Sequence, residues 1–229
     1  MKKISIFLSL FILMHFFFFY SLKDYFNKAH SLHLSNPEKA KKAMIAISKR
    51  AFKEKQIVMY LDALDEIAYC DLALADYNEA IKTSEFSIQE SRKYKYEETE
   101  IASLLTQSSA YSSLGLYKKA LDNINIAWEK SEGKTDKKFD KIRGSIYTVK
   151  AEFFNQKEDD EKYLFYSRKS LLEYNKIEET DERERSQIIA NFNIGMAYKY
   201  MGKFDSMYYY IKKTVELNPM KFNNKRTHS

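Results

Sequence analysis

The sequence predicts an all-α fold: an α–α superhelix, or solenoid, of about five helix hairpins preceded by an apolar N-terminal helix. Three observations predict it. Gly and Pro number only five and two in 229 residues, so few positions break a helix or turn left-handed at low cost. Turns that need positive φ are accordingly expected to be few. After Ser21, apolar side chains recur at helical spacing almost throughout. The chain also resembles itself about every forty residues, the mark of an array whose units bury their apolar faces only against one another. Eighteen Tyr and sixteen Phe supply large contact areas for the helix seams.

The first element is an address. Met1-Lys2-Lys3 precedes Ile4 to Tyr20, a run without Asp, Glu, Lys or Arg, which is the layout of a secretory signal. As a helix its 17 residues span about 26 Å, close to the hydrocarbon thickness of a bilayer, so the run could also stay as an anchor. Lys2 and Lys3 then remain inside and everything after Lys23 lies outside. No pair of small residues precedes Ser21, where the chain reads Phe18-Phe19-Tyr20, so both fates stay open. No Cys lies near the end of the run, which excludes a lipoprotein anchor. The expected division is 1–22 signal or anchor, 23–220 repeat domain and 221–229 polar tail.

The repeats follow in order. The clearest unit runs Ala110-Tyr111-Ser112-Ser113-Leu114-Gly115-Leu116-Tyr117-Lys118-Lys119-Ala120. Tyr111 fills a seam, Gly115 makes the tight turn, Tyr117 starts the second helix, and Ala120 is small enough for close approach. Gly195, Tyr198, Gly202, Phe204 and Ile211 repeat this near the end, with Pro219 where the last helix should stop. Ala68, Ala75, Tyr77, Ala80 and Phe86 form an earlier copy with Ala75 at the Gly position, and Ala151, Phe154, Tyr163 and Ser167 a weaker one. Asn36-Pro37 through Ile47 matches a second half-unit. The small-residue positions fall at Ala40, Ala80, Ala120, Tyr163 and Met207.

These residues resemble the tetratricopeptide repeat family, in an extended version with longer helices, over roughly 24 to 220. The resemblance implies a protein- or peptide-binding scaffold that uses the surface lined by the first helix of each pair. In that register the binding positions are Asp62, Asp65 and Tyr69; Leu105, Ser109 and Ser112; Thr148, Glu152 and Asn155; and Phe192, Met196 and Lys199. A carboxylate clamp of the chaperone-binding kind is not expected, since only Asn193 matches a clamp residue. The N-terminal layout also resembles the sensor portion of bacterial membrane-bound regulators. The alternative is therefore such a portion lacking its transcriptional or kinase output domain.

Chemistry is sparse. The net charge of +6 arises from 38 basic and 32 acidic residues interleaved, a solvated surface and not a nucleic-acid footprint. The basic run Lys134 to Lys141 and the acidic runs Glu97 to Glu100 and Glu178 to Glu184 are expected to be exposed loops or helix ends. Cys70 is the only cysteine and should pack as a small hydrophobe. His30 and His33 share a helix face, but no His-Glu-x-x-His motif and no nearby carboxylate cluster accompanies them. They are expected to be polar residues of an exposed first helix, with no metal or cofactor. No Gly-rich phosphate loop or nucleophile elbow is present, so the chain is expected not to be an enzyme. In the last helix Phe204, Met207, Ile211 and Val215 are expected to face inward. Tyr208, Tyr209 and Tyr210 should then form an exposed aromatic end that pairs with another copy.

Overall fold

The computed structural model describes residues 22–217, which among themselves form only helices and their joints. The proposed signal or anchor, apart from Leu22, Pro219 and the polar tail lie outside these residues. No helix among them is long and apolar enough to cross a membrane. A helical segment at 22–30, α1, is followed by α2 (Pro37–Lys53), α3 (Ile57–Ala73), α4 (Tyr77–Lys93) and α5 (Glu97–Ser113). Then come α6 (Tyr117–Ser131), α7 (Lys138–Gln156), α8 (Asp160–Tyr174), α9 (Thr180–Tyr200) and α10 (Phe204–Glu216). The fold is all-α, of consecutive tetratricopeptide-like hairpins.

The joints explain the spacing. Lys55, Ala75, Lys95, Gly115, Glu158 and Gly202 each take φ between +56° and +73° immediately after a helix. The amide of the following residue donates back across the turn, as Gln56 to Ala51, Asp76 to Asp71, Tyr96 to Ser91 and Leu116 to Tyr111 do at 2.8–3.0 Å. This is the Schellman arrangement, which satisfies carbonyls that the helix end would leave bare. From 55 to 115 the left-handed residue recurs every twenty positions, so the forty-residue repeat is two copies of one joint. The expectation that few turns need positive φ is therefore corrected. Nearly every joint needs one, and four non-glycine residues supply it.

The second helix of each pair starts in register. Ala40, Ala80, Ala120, Tyr163 and Met207 all occupy its fourth position. There each amide donates to the carbonyl just before the helix, at 2.9–3.1 Å. Side chains of Asn36, Asp76 and Asp159 cap three of these helices by accepting from the amides of Lys39, Glu79 and Lys162. The alanines are fully buried, and Tyr163, although large, is 3% exposed.

The described chain forms two compact units divided between Thr106 and Gln107, within α5. In the first, α2 packs on α3 and α3 on α4, around Leu22, Met44, Leu61, Leu64 and Ile67. Asp71 is fully buried there, pairs with the Lys41 ammonium and accepts from Thr83 Oγ1 at 3.2 Å. In the second, each helix from α6 to α10 packs on the next, and α7 also touches α9. Two glycines set close approaches in this unit. A Cβ at Gly144 would lie 2.3 Å from the Tyr174 ring, and one at Gly195 would lie 2.9 Å from Ile211 Cδ1.

The ends of α10 depart from expectation. Met207 and Ile211 pack inward, but Phe204 is 64% and Val215 50% exposed. Both sit at the ends of the helix, away from the crossing with α9 at Gly195. The charged runs do lie at helix ends and joints, but not all their side chains are exposed: Glu97, Glu98, Asp140, Glu182 and Glu184 are half-buried. Glu100 in the first turn of α5 is 5% exposed and accepts from Arg92 Nε at 2.8 Å.

Candidate partner-binding face

In the first unit, the predicted positions on α3 meet hydroxyls on α5. Asp62 accepts from Thr99 Oγ1 at 2.7 Å, and Asp65 from Ser103 Oγ at 2.9 Å and from Thr106 Oγ1 at 3.4 Å. These bonds join first helices of successive pairs, because residues three and four apart on α3 face the same neighbour. Burial pushes the Asp65 carboxyl up to about 7, helped by the negative charge of Glu66 and opposed by the Ser103 hydroxyl. Tyr69, one turn further along, is partly buried with its ring 4.9 Å from that of His33. Leu105 is buried, 6% exposed.

In the second unit the predicted positions divide. Ser112 is buried, and Thr148 bonds Ser170 Oγ at 2.8 Å and Tyr174 OH at 3.1 Å, inside the α7–α8 hairpin. Ser109, Glu152, Asn155 and Met196 are partly buried, and Phe192 and Lys199 are exposed. Burial pushes the Glu152 carboxyl up to about 7, the Asn193 side chain opposing the shift. Asn193 itself is 6% exposed. On α10, Tyr208 and Tyr209 are exposed, whereas Tyr210 stacks on Tyr198 at 5.7 Å between centroids.

Two clusters escaped the sequence reading. The first contradicts the expectation that His30 and His33 have no carboxylate partner. Glu66, more than thirty positions later on α3, receives His30 Nδ1 at 2.8 Å on one oxygen and His33 Nδ1 at 3.2 Å on the other. Burial would raise the Glu66 carboxyl, but the two imidazoles outweigh it and hold the group below its ordinary value. No local motif could show this, since only folding brings α3 under the first segment. The second is a row of rings in the second unit. Trp128 lies 5.2 Å from Tyr147, Tyr147 stacks on Tyr166 at 6.2 Å, and Tyr166 stacks on Phe154 at 5.3 Å. Lys150 covers Tyr166 at 4.9 Å and Lys162 covers Phe154 at 5.0 Å. Cys70 is fully buried as expected, its thiol pushed up to about 12 by that burial.

The chain matches no protein-family model and no curated protein sequence. Among solved structures it is similar to BtubC (BKLC) from P. vanneervenii. The TM-score is 0.53 at 12% identity, over 86% of this chain and 88% of that one. A further similar structure is the putative kinesin light chain with nearly identical TPR-like repeats from Podosopora anserina. There the TM-score is 0.48 at 14% identity, over 88% of this chain and 96% of that one. At these identities the first likeness speaks for the fold alone.

Proposed function

We propose that this chain is a non-catalytic, extracytoplasmic scaffold whose first helices hold an extended peptide or a helix of another protein. The observation that carries the reading is on α3 and α7. Each sinks a buried stripe into its own unit, Leu61, Leu64 and Ala68 on α3 and Ile146, Ala151 and Phe153 on α7, yet keeps polar side chains partly open: Asp62, Asp65 and Tyr69 on the one, Glu152 and Asn155 on the other. Each helix carries carboxylates there, so each favours a partner segment that presents cationic side chains or amide donors beside an apolar anchor. Lys199 and Phe192 on α9 add one cation and one apolar ring in the open. The extracytoplasmic placement rests on Lys2, Lys3 and the uncharged run Ile4 to Tyr20.

The test is selection from a random peptide library by the full chain in detergent, followed by affinity measurements on the selected peptides. Asp62→Asn, Tyr69→Ala and Glu152→Gln are each expected to weaken binding at least about tenfold, since each removes a contact to the bound segment. Unchanged affinity in all three refutes the assigned face. Protease digestion of intact cells tests the compartment: protection of the repeat domain overturns it. A second contact is proposed at the α10 end, between copies of this chain through the exposed Tyr208 and Tyr209, with Tyr210 turned back onto Tyr198. Sedimentation should show association that Tyr208→Ser with Tyr209→Ser abolishes, and a monomer at high concentration refutes it.

A further inference from the structure

The triad His30, His33 and Glu66 has the composition and spacing of a metal site. One nitrogen from each ring and one carboxylate oxygen lie within 4.8 Å of one another. In a tetrahedral zinc site with bonds of about 2.0–2.2 Å, neighbouring ligand atoms stand roughly 3.3–3.5 Å apart. The two nitrogen-to-carboxylate separations, 2.8 and 3.2 Å, are already near that edge. No separation among the three exceeds 4.8 Å, so movements on the order of an ångström at the ends of the side chains would place an ion among them.

We infer that His30, His33 and Glu66 bind a divalent transition-metal ion, zinc or a close analogue, and that the ion ties the first helical segment to α3. The donor set selects the class of ion. Two imidazoles and one carboxylate suit Zn²⁺, Co²⁺ or Ni²⁺, whereas Mg²⁺ and Ca²⁺ prefer oxygen cages. The rings are held before any ion arrives: Phe26 stacks on His30 at 6.3 Å, His30 and His33 meet edge to face at 4.5 Å, and Tyr69 leans on His33. Such packing lowers the ordering cost of assembling the ligands. His30 is exposed, so solvent reaches the site and water supplies the fourth ligand.

The proton balance is simple. In the metal-free state each ring nitrogen facing Glu66 carries its proton toward the carboxylate. Ligation through that nitrogen moves the proton of a neutral ring to its other nitrogen, and releases one proton from a ring that was charged. Binding is therefore weakened by acid, where both rings must be stripped of a proton.

The inference is independent of the peptide-binding reading, because its readout is the ion itself. The full chain in detergent at pH 7.5 is titrated with Co²⁺. Expected is the visible absorption of four-coordinate Co²⁺, saturating at one ion per chain and bleached by Zn²⁺ but not by Mg²⁺. His33→Ala and Glu66→Gln should each lose at least about 100-fold in Co²⁺ affinity, more than a second-sphere change would cost. His228→Ala should bind as the unaltered chain does. A band that persists in both ligand variants overturns the assignment. So does equilibrium dialysis of the unaltered chain that finds no Zn²⁺ bound at micromolar concentration. The dialysis stands even if the variants fail to fold.

Discussion

Replacing Ala75 with Gly should make this protein more stable. Ala75 follows α3 with φ +59° and is exposed, so its methyl group contributes little packing. A non-glycine residue in the left-handed region costs about 1–2 kcal/mol from the contact of Cβ with the backbone. Glycine removes that cost but adds unfolded-state entropy of about 0.4–1 kcal/mol. The net expectation is a gain of about 0.5–1 kcal/mol, or a melting temperature about 1–4 °C higher in a chain of this size. The reverse change, Gly115→Ala, should lose a similar amount, since nothing lies within 4 Å of the added Cβ and only the backbone conformation, φ +73°, is strained. Lys55, Lys95 and Glu158 occupy equivalent joints, each in a separate turn. With Ala75 all four changed to Gly should add to about 2–4 kcal/mol. The assay is urea denaturation followed by circular dichroism. Amide hydrogen exchange at each turn should accompany it, because repeat arrays can unfold stepwise. A lower midpoint for Ala75→Gly, or a higher one for Gly115→Ala, would show that these joints are not governed by left-handed strain.

Further outcomes follow from buried groups. Lys41→Met leaves the Asp71 carboxylate enclosed without its cation and should cost about 3–5 kcal/mol in urea unfolding, with Asp71→Asn in the same chain recovering much of it. Gly144→Ala drives a Cβ to 2.3 Å from Tyr174. Overpacking of about 1–3 kcal/mol should outweigh the roughly 1 kcal/mol of helix propensity gained, and the sign should reverse in a Tyr174→Ala background. Glu152 titrates near 7 when folded, against an ordinary 4.5, so the folded state keeps a proton that the unfolded chain has released. Its contribution is complete below pH 4.5 and is lost as pH rises through 7, by less than the roughly 3 kcal/mol that the full shift implies, since the residue keeps some solvent contact. Comparing urea midpoints at pH 5 and pH 8 should show that Glu152→Gln flattens this part of the profile; an unaltered profile refutes the assignment.

How much of the binding face was legible depended on whether a position's environment is local. Ala120 and its equivalents were readable because a small residue four positions into a helix has one use in a hairpin, close approach. Asp62 and Asp65 were placed on the right helix, but their hydroxyl partners on α5 lie more than thirty positions away. Thr148 was expected on the binding face and instead bonds Ser170 and Tyr174 within its hairpin. A threonine offers the same pattern to a sequence reading whether it faces a groove or a neighbouring helix. Phe204 and Val215 were assigned inward by helical period, yet period gives a direction around the axis and not the extent of the crossing helix.

By itself, the sequence determined the helical class, the forty-residue register and the small buried position of three second helices, Ala40, Ala80 and Ala120. These depend on backbone sterics and on periodicities within one or two helices. Only the tertiary structure decided that Lys55, Lys95 and Glu158 turn left-handed as Ala75 does, that Lys41 enters to meet Asp71, and that Glu66 closes on two histidines. Each depends on the approach of segments distant in sequence or on a strain that packing imposes. A one-dimensional pattern carries neither, because the energy belongs to the contact and not to any residue alone.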